Sequence, residues 1–311
     1  MIICCGEALV DMIAIGIDDD QTAFVPHSGG AIFNTAITLG RLGADVSLVS
    51  GVSEDMFGKQ LERDLQASQV NTSQLVKSKR PTTLAFVELK DGHASYSFFD
   101  ENSAGRMVQF DDFHANDEAV TAYYFGGISL ASEPSGESYA ALAEKVSANS
   151  VVMLDPNIRT TFISDETKYR KRLEKLFGIC DIVKISDEDL KWIYPDADSL
   201  EAAANQLLQF GVSLVVLTKG EDGSTGYYGD GNSIDIAINK VVVADTVGAG
   251  DSFNGGLLAK LSELDLLSKS ALKNIDEKPL KQAMEFASKV AAVTVSRSGA
   301  NPPWSHELSK D

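Results

Sequence analysis

The residues best suited to chemistry stand in one short run. Asp245–Gly256 reads Asp-Thr-Val-Gly-Ala-Gly-Asp-Ser-Phe-Asn-Gly-Gly, followed by Leu257, Leu258 and Leu261 at helical spacing. Glycines 248 and 250 let the backbone close on a ligand and aim successive N–H groups at one point, and a helix that starts there adds the positive end of its dipole. Gly248, Ala249 and Gly250 thus form an anion hole suited to a phosphoryl group in transfer. A carboxylate in that place, Asp251, either takes a proton from an attacking hydroxyl or caps its helix.

Other loops carry groups that would complete such a site. Ser28-Gly29-Gly30-Ala31-Ile32-Phe33-Asn34 leads into a helix, where Gly29 and Gly30 permit backbone contact with a small polar ligand and Asn34 can donate and accept together. Thr218-Lys219-Gly220-Glu221-Asp222-Gly223 follows the apolar run Leu214–Leu217, at the end of a strand where open α/β sheets bind ligands. Lys219 is either a phosphate ligand or a solvated loop lysine. Asp155-Pro156-Asn157-Ile158-Arg159 follows another apolar run, and Arg159 could pair with phosphate or substrate oxygens. The four histidines (27, 93, 114, 306) show no metal-ligand spacing with each other or with cysteine. The chain has no Gly-x4-Gly-Lys-[Ser/Thr] loop, no Gly-x-Gly-x-x-Gly after its first strand and no protein-kinase signature set, which argues against P-loop, dinucleotide and protein-kinase chemistry.

The elements that must hold these loops alternate between short apolar runs and helical patterns. Strands are expected at Ile2–Cys5, Val46–Val49, Val120–Phe125, Val151–Leu154, Ile182–Ile185 and Leu214–Leu217, and helices at Ala31–Leu42, Phe57–Ala67, Ser135–Ala148, Leu200–Phe210, Ser252–Leu261 and Leu280–Ser296. That order predicts an α/β fold with a mostly parallel central sheet and helices on both faces. Two segments, about 11–27 and 82–100, break the rhythm. The second alternates through Leu84, Phe86 and Leu89, turns at Asp91-Gly92 and resumes at Tyr96 and Phe98, a hairpin pattern. We read the chain as a single α/β domain, 1–311, with these segments forming a small β-rich lid.

Bulk composition narrows the partners. The 311 residues carry a formal net charge of −18, which repels nucleic-acid backbones and anionic membrane surfaces. Three cysteines (4, 5, 180) are too few and too irregular for a disulfide framework. The N-terminal residues show no basic leader, and no run reaches the ~18 apolar residues of a membrane span. A cytoplasmic location is the expectation.

Taken together, these motifs resemble the ribokinase-type (PfkB) carbohydrate kinase family, from Gly6 to about Trp304. The resemblance implies a ribokinase-like fold and transfer of the γ-phosphoryl group of ATP to a sugar hydroxyl, with Mg2+ and possible K+ as cofactors. It implies Asp251 as the base, with Asp11, Gly29, Gly30, Asn34 and Arg159 holding sugar. Lys184, Ser186, Thr218, Lys219, Gly220 and Gly223 would bind ATP. The family's Asn-x-x-Glu motif falls at Ser186-Asp187-Glu188-Asp189, so that Asp189 or Glu188 would organise Mg2+ through water. Backbone carbonyls of Asp245, Val247, Thr294, Arg297 and Gly299 match the family's monovalent cation site. A homodimer joined through the lid is a further family-level implication. Cys5–Asp11, Asp155–Arg159 and Ser298–Trp304 look most like bacterial fructokinases; the alternatives are a 2-keto-3-deoxygluconate kinase or another sugar or nucleoside kinase of the family, and a catalytically silent binding protein. A sugar acid would meet Asp100 and Glu101 after the lid hairpin, and like charges at ~4 Å cost a few kcal/mol. This favours a neutral sugar, unless Arg106 and Arg159 compensate.

Overall fold

The computed structural model describes residues 1–18, 21–90, 93–114 and 120–308. Its strands are Ile2–Cys5 (β1), Leu9–Asp18 (β2), Gln21–Gly29 (β3), Val46–Val49 (β4), Gly51–Ser53 (β5), Val76–Ser78 (β6), Leu84–Lys90 (β7), His93–Phe99 (β8), Ala122–Gly126 (β9), Val151–Asp155 (β10), Ile182–Ser186 (β11), Leu214–Thr218 (β12), Ser224–Tyr228 (β13) and Asn232–Ile236 (β14). The helices are Ala31–Arg41 (α1), Met56–Ala67 (α2), Ser135–Val146 (α3), Glu166–Phe177 (α4), Asp187–Ile193 (α5), Leu200–Leu208 (α6), Ala249–Glu263 (α7), Lys269–Lys273 (α8), Glu277–Val295 (α9) and Ser305–Leu308 (α10). The predicted turn at Asp91-Gly92 lies outside the described residues.

The main sheet has 8 strands in the order β14-β13-β12-β11-β10-β9-β1-β4, in which β13 alone runs against the others, antiparallel to both β12 and β14. Alternation along each strand divides its apolar side chains between two cores. Tyr124, Met153, Ile182 and Leu214 face α1, α7 and α9, whereas Phe125, Leu154, Val183 and Leu217 face α3, α4 and α6. Cys4 and Cys5 fall on opposite faces, free and fully buried, and burial pushes both thiols well above the usual range. Among the described residues no helix is long and apolar enough to cross a membrane.

β1 lies between β4 and β9, so the chain leaves it towards one neighbour and later returns on the other side. The connections after β1 and β9 therefore diverge and open a crevice at the carboxyl end of the sheet. Over this crevice stands a second sheet of 4 strands, β3-β2-β7-β8. It meets the body through Leu9, Ala85, Ile128, Phe98 and Phe162.

Helix α7 crosses the middle of this arrangement and is buried along most of its length. Adjacent glycines allow neighbours on two sides. A Cβ at Gly255 would stand 2.6 Å from the Thr38 side chain of α1, and one at Gly256 would stand 2.9 Å from the Ala287 Cα of α9. The close approach of three helices holds the start of α7 against the sheet ends.

Candidate active site

Helix α7 begins three residues before the expected Ser252. Gly248 takes the left-handed conformation (φ 77°) and is the N-cap, so Ala249, Gly250 and Asp251 form the first turn. Amides in a first turn have no i−4 carbonyl, and those at Gly250 and Asp251 point out of the helix. Asp251 sits within the turn rather than at the capping position. Its carboxyl is buried, with Oδ2 accepting from Asn34 Nδ2 at 2.9 Å, and Thr35 Oγ1 donates to the Asp251 carbonyl at 3.2 Å. Burial pushes the Asp251 carboxyl up to about 7. The Asn34 hydrogen bond and the Lys184 ammonium oppose that rise, while Asp155 and Glu7 reinforce it. A carboxyl so placed can accept a proton near neutral pH.

Below this turn, neighbouring strands present one polar group each on the face towards α7. The alternation that sends Met153 and Ile182 into the core also sends Asp155 and Lys184 the same way. Lys184 Nζ donates to Asp155 Oδ2 at 3.0 Å, and both side chains are buried. Asn254, one turn along α7 from Asp251, donates from Nδ2 to Asp155 Oδ2 at 2.7 Å and to Tyr124 Oη at 2.9 Å. A Cβ on Gly250 would lie 3.2 Å from Lys184 Nζ, which puts the ammonium beside the first turn of α7. Asp155 Oδ1 and Asn254 Oδ1 are buried with no hydrogen-bond partner among the described residues. Sequence reasoning named Lys184 but passed over Asp155, Tyr124 and Asn254. The signal was a charged residue at an inward position of an apolar strand, in Val-Val-Met-Leu-Asp and in Ile-Val-Lys-Ile-Ser.

Asp11, Gly29, Gly30 and Asn34 gather on the other side of the crevice. Asp11 lies on β2, and its Oδ2 is 2.2 Å from where a Cβ of Gly29 would be. Burial raises the Asp11 carboxyl to about 6. Gly30 caps α1 with φ 105°, and Asn34 reaches from α1 to Asp251. Arg159 is exposed and donates to its neighbour's carbonyl, that of Ile158, at 3.0 Å, so it stands apart from this group.

Ser186 and Thr218 are register partners at the ends of β11 and β12. Ser186 Oγ caps α5 by accepting from the Asp189 amide at 3.1 Å. The Asp189 carboxylate accepts from the Ile158 amide at 3.2 Å and is raised to about 6, chiefly by burial and then by Asp155. Glu188 is exposed. Lys219, Gly220 and Gly223 form the turn after Thr218, with Lys219 Nζ 3.6 Å from Asp235. Among the described residues no cluster of three or more His, Cys, Asp or Glu could hold a metal by itself. Of the five residues that the family resemblance offers for a cation, the Asp245 carboxylate links Val247 and Gly299, accepting from Val247 N at 3.0 Å and Gly299 N at 2.9 Å, while Arg297 N donates to the Thr294 carbonyl at 3.0 Å.

Comparison with known proteins agrees with this geometry. The family model described as pfkB family carbohydrate kinase matches residues 1–307. The chain is 44% identical over 281 residues to a fructokinase of Rhizobium leguminosarum bv. trifolii, covering 90% of this chain and 86% of that one. The structure of a Xylella fastidiosa fructokinase with bound ATP superimposes with a TM-score of 0.91 at 28% identity, covering 99% of this chain and 97% of that one. A Vibrio cholerae O395 fructokinase in a form with fructose, ADP and calcium bound gives 0.84 at 26% identity, covering 96% and 94%. Open amides and a buried carboxyl in the first turn of α7, and a match along nearly the whole chain, lead to one conclusion: this protein belongs to the pfkB family of carbohydrate kinases.

Proposed function

We propose that this carbohydrate kinase transfers the γ-phosphoryl group of ATP to a primary hydroxyl of fructose. The observation that carries the reading is the buried Asp251 carboxyl in the first turn of α7, with the Lys184 ammonium beside Gly250. The sugar oxygen attacks the γ-phosphorus as Asp251 accepts its proton. The bond from that phosphorus to the β–γ bridging oxygen breaks, and ADP leaves with the electron pair. The open amides of the Gly248–Gly250 turn and of Asp251, with the Lys184 ammonium, hold the charge on the transferring group. Asp11, Gly30 and Asn34 orient the sugar, and Ser186, Thr218 and the Lys219–Gly223 turn hold the nucleotide.

A neutral sugar fits the charges around the crevice. Asp100 accepts from Thr83 at 2.7 Å and from Ser103 at 2.9 Å, with Arg106 3.8 Å away. Arg106 is also committed to the Glu133 carbonyl and Arg159 to that of Ile158, so neither arginine is poised to hold a substrate carboxylate. Mg2+ suits the donors present: Asp155 offers a buried carboxylate oxygen without a partner, and Asp189 stands beside it electrostatically. Between Asp189 and the exposed Glu188, Asp189 is the one positioned for this role. Mg2+ would neutralise the phosphates of ATP, and the carbonyls around Asp245 offer K+ an oxygen-lined place. The second sheet serves as a lid on a single α/β domain, excluding water from the transfer.

An ADP-release assay across fructose, ribose, 2-keto-3-deoxygluconate, tagatose and adenosine tests this reading. Fructose is expected to give the highest kcat/KM, EDTA to abolish turnover and ATP without sugar to be hydrolysed far more slowly. Preference for the keto-acid would overturn the substrate assignment, and turnover surviving EDTA would remove Mg2+.

The second sheet also leaves Ile13, Ile15, Ile17, Phe24 and Phe99 exposed, which supports a homodimer clasped through the two lids. Equilibrium sedimentation is expected to give a dimer that Ile15→Glu weakens. A wild-type monomer at micromolar concentration would exclude the clasp.

A further inference from the structure

The crevice contains two helix starts whose amides are used differently. At α7 the Ala249 amide donates to the Thr246 carbonyl at 3.3 Å, the Gly250 and Asp251 amides are open, and the Lys184 ammonium stands beside them. At α1 a carboxylate from another element has moved in. Glu7, between β1 and β2, is 8% exposed. Its Oε1 accepts from the amide of Ala31, the first residue of α1, at 3.1 Å, and its Oε2 accepts from the Ser129 amide at 3.2 Å. Its backbone carbonyl takes the Phe33 amide at 3.2 Å. Burial pushes the Glu7 carboxyl up, and the hydrogen bonds from the Ser129 and Ala31 backbone N–H groups oppose that rise by favouring the ionised form.

The fit around this side chain is tight on two sides. A Cβ on Gly127 would stand 2.0 Å from Oε1, and one on Gly30 would stand 3.1 Å from Cγ. Glu7 therefore joins the loop after β1, the sugar-side turn Gly29–Gly30 and the loop after β9, across the gap opened where the strand order reverses. Asp11 lies over Gly29 while Glu7 supports Gly30, so the turn runs between two carboxylates. α1 has no acidic residue in its first turn and no side-chain cap of its own, and Glu7 fills that need from 24 residues away.

We propose that Glu7 is a positioning residue for the sugar-binding turn and that its charge, seated on the start of α1, keeps phosphate groups out of the sugar side of the crevice. The α7 start is then the seat left for phosphate. The inference rests on the proposed sugar-kinase reading. It adds what makes the two helix starts unlike: the Glu7 carboxylate occupies the first amide of α1, whereas at α7 the Asp251 carboxyl turns to Asn34 and leaves the Gly250 and Asp251 amides open, with the Lys184 ammonium beside them.

Two variants separate position from charge. Glu7→Gln keeps the shape, removes the charge and turns an N–H donor towards one of the two backbone amides. It is expected to raise the sugar KM about tenfold, the loss of roughly one charge-assisted hydrogen bond, with the ATP KM within about twofold of wild type. Inorganic phosphate should inhibit it competitively against sugar at least about tenfold more strongly than wild type, because a nearby like charge has gone. Glu7→Asp keeps the charge but is one methylene too short to span both loops. It should share the rise in sugar KM and retain the wild-type response to phosphate.

The sugar used is whichever one wild type turns over best, so a wrong assignment of fructose shows in the wild-type panel and leaves the comparison intact. Calorimetric titration of nucleotide-free protein with phosphate gives the same charge readout without turnover. Should Glu7→Gln fail to fold, Glu7→Asp decides: a KM rise confined to sugar supports the role, and an unchanged KM overturns it. A Glu7→Gln variant within twofold of wild type in both sugar KM and phosphate inhibition overturns it too, as do sugar and ATP KM values that rise together.

Discussion

Replacing Asp251 with alanine is expected to lower kcat by about 10²–10⁴-fold while ATP binding stays close to wild type, the range typical of losing a general base. The carboxyl is held by Asn34 and surrounded by protein, which fixes it as the proton acceptor of the first turn. A variant keeping more than about a tenth of wild-type kcat would sink the assignment. The pH dependence follows from burial, which lifts this carboxyl to about 7 in the free protein. The base works only when deprotonated, so kcat/KM for sugar should fall as pH drops through about 7 and level off above it.

Stability carries the opposite sign. A carboxyl whose folded pKa is above its unfolded value binds more protons when folded, so its contribution declines as pH rises from the unfolded value of 3.8 to about 7 and is flat above. Asp251→Asn is therefore expected to have a higher Tm than wild type at pH 8, with the difference disappearing below about pH 4. An equal Tm at pH 8 would mean that the carboxylate is not held at a cost. Function and stability pull apart at this residue, as they often do at active sites.

The second large effect concerns the buried pair beneath the helix. Asp155→Ala is expected to destabilise the fold by about 3–5 kcal/mol, because it strands the Lys184 ammonium in a buried site. It also removes an acceptor from Asn254. Asp155→Leu combined with Lys184→Met should recover most of that loss, since well-packed apolar side chains commonly replace a buried ion pair without penalty. Activity should not return with it. Lys184→Met alone is expected to lower kcat by about 10²-fold, the scale of removing one group that stabilises transition-state charge. Urea denaturation midpoints and kcat measured on the same four proteins decide the matter. A stable double variant with near-wild-type turnover would show that the pair only fills space, and Lys184→Met within tenfold of wild type would remove its electrostatic role.

Much of this was legible in the amino-acid sequence because local rules dominate in a covered parallel sheet. β1 and β4 lie at the expected residues, and α6 falls within the expected Leu200–Phe210, with Ala203, Ala204 and Leu207 buried at helical spacing. Elements with little apolar signal were harder to see. α4 reads Glu-Thr-Lys-Tyr-Arg-Lys-Arg-Leu-Glu-Lys-Leu-Phe, and only packing against the sheet reveals which side of it is buried. The start of α7 was placed too late because two glycines look like loop; Gly248 is the turn and Gly250 is already helix.

At the site, residues within one motif were found and residues joined across strands were not. Asp251 and Asn34 each sit in a glycine-marked segment. Asp155, Tyr124 and Asn254 become a set only when two strands and a helix are aligned, and no local spacing encodes that alignment. Glu7 was hidden for the same reason, its partners Ala31 and Ser129 being 24 and 122 positions away.

The contact between Asn34 and Asp251 spans 217 positions of chain. Its entropy of closure grows only logarithmically with that span, so the cost in stability is modest. Timing is affected more. At a synthesis rate of ~5–20 residues per second, the sugar-side turn waits on the order of 10–40 s before the residue that completes it is made. Until then a nascent chain already displays Asp11, Gly30 and Asn34 but has no helix start on which to seat a phosphate. The sugar side of the crevice is therefore made first, and the means to phosphorylate arrives only 217 positions later.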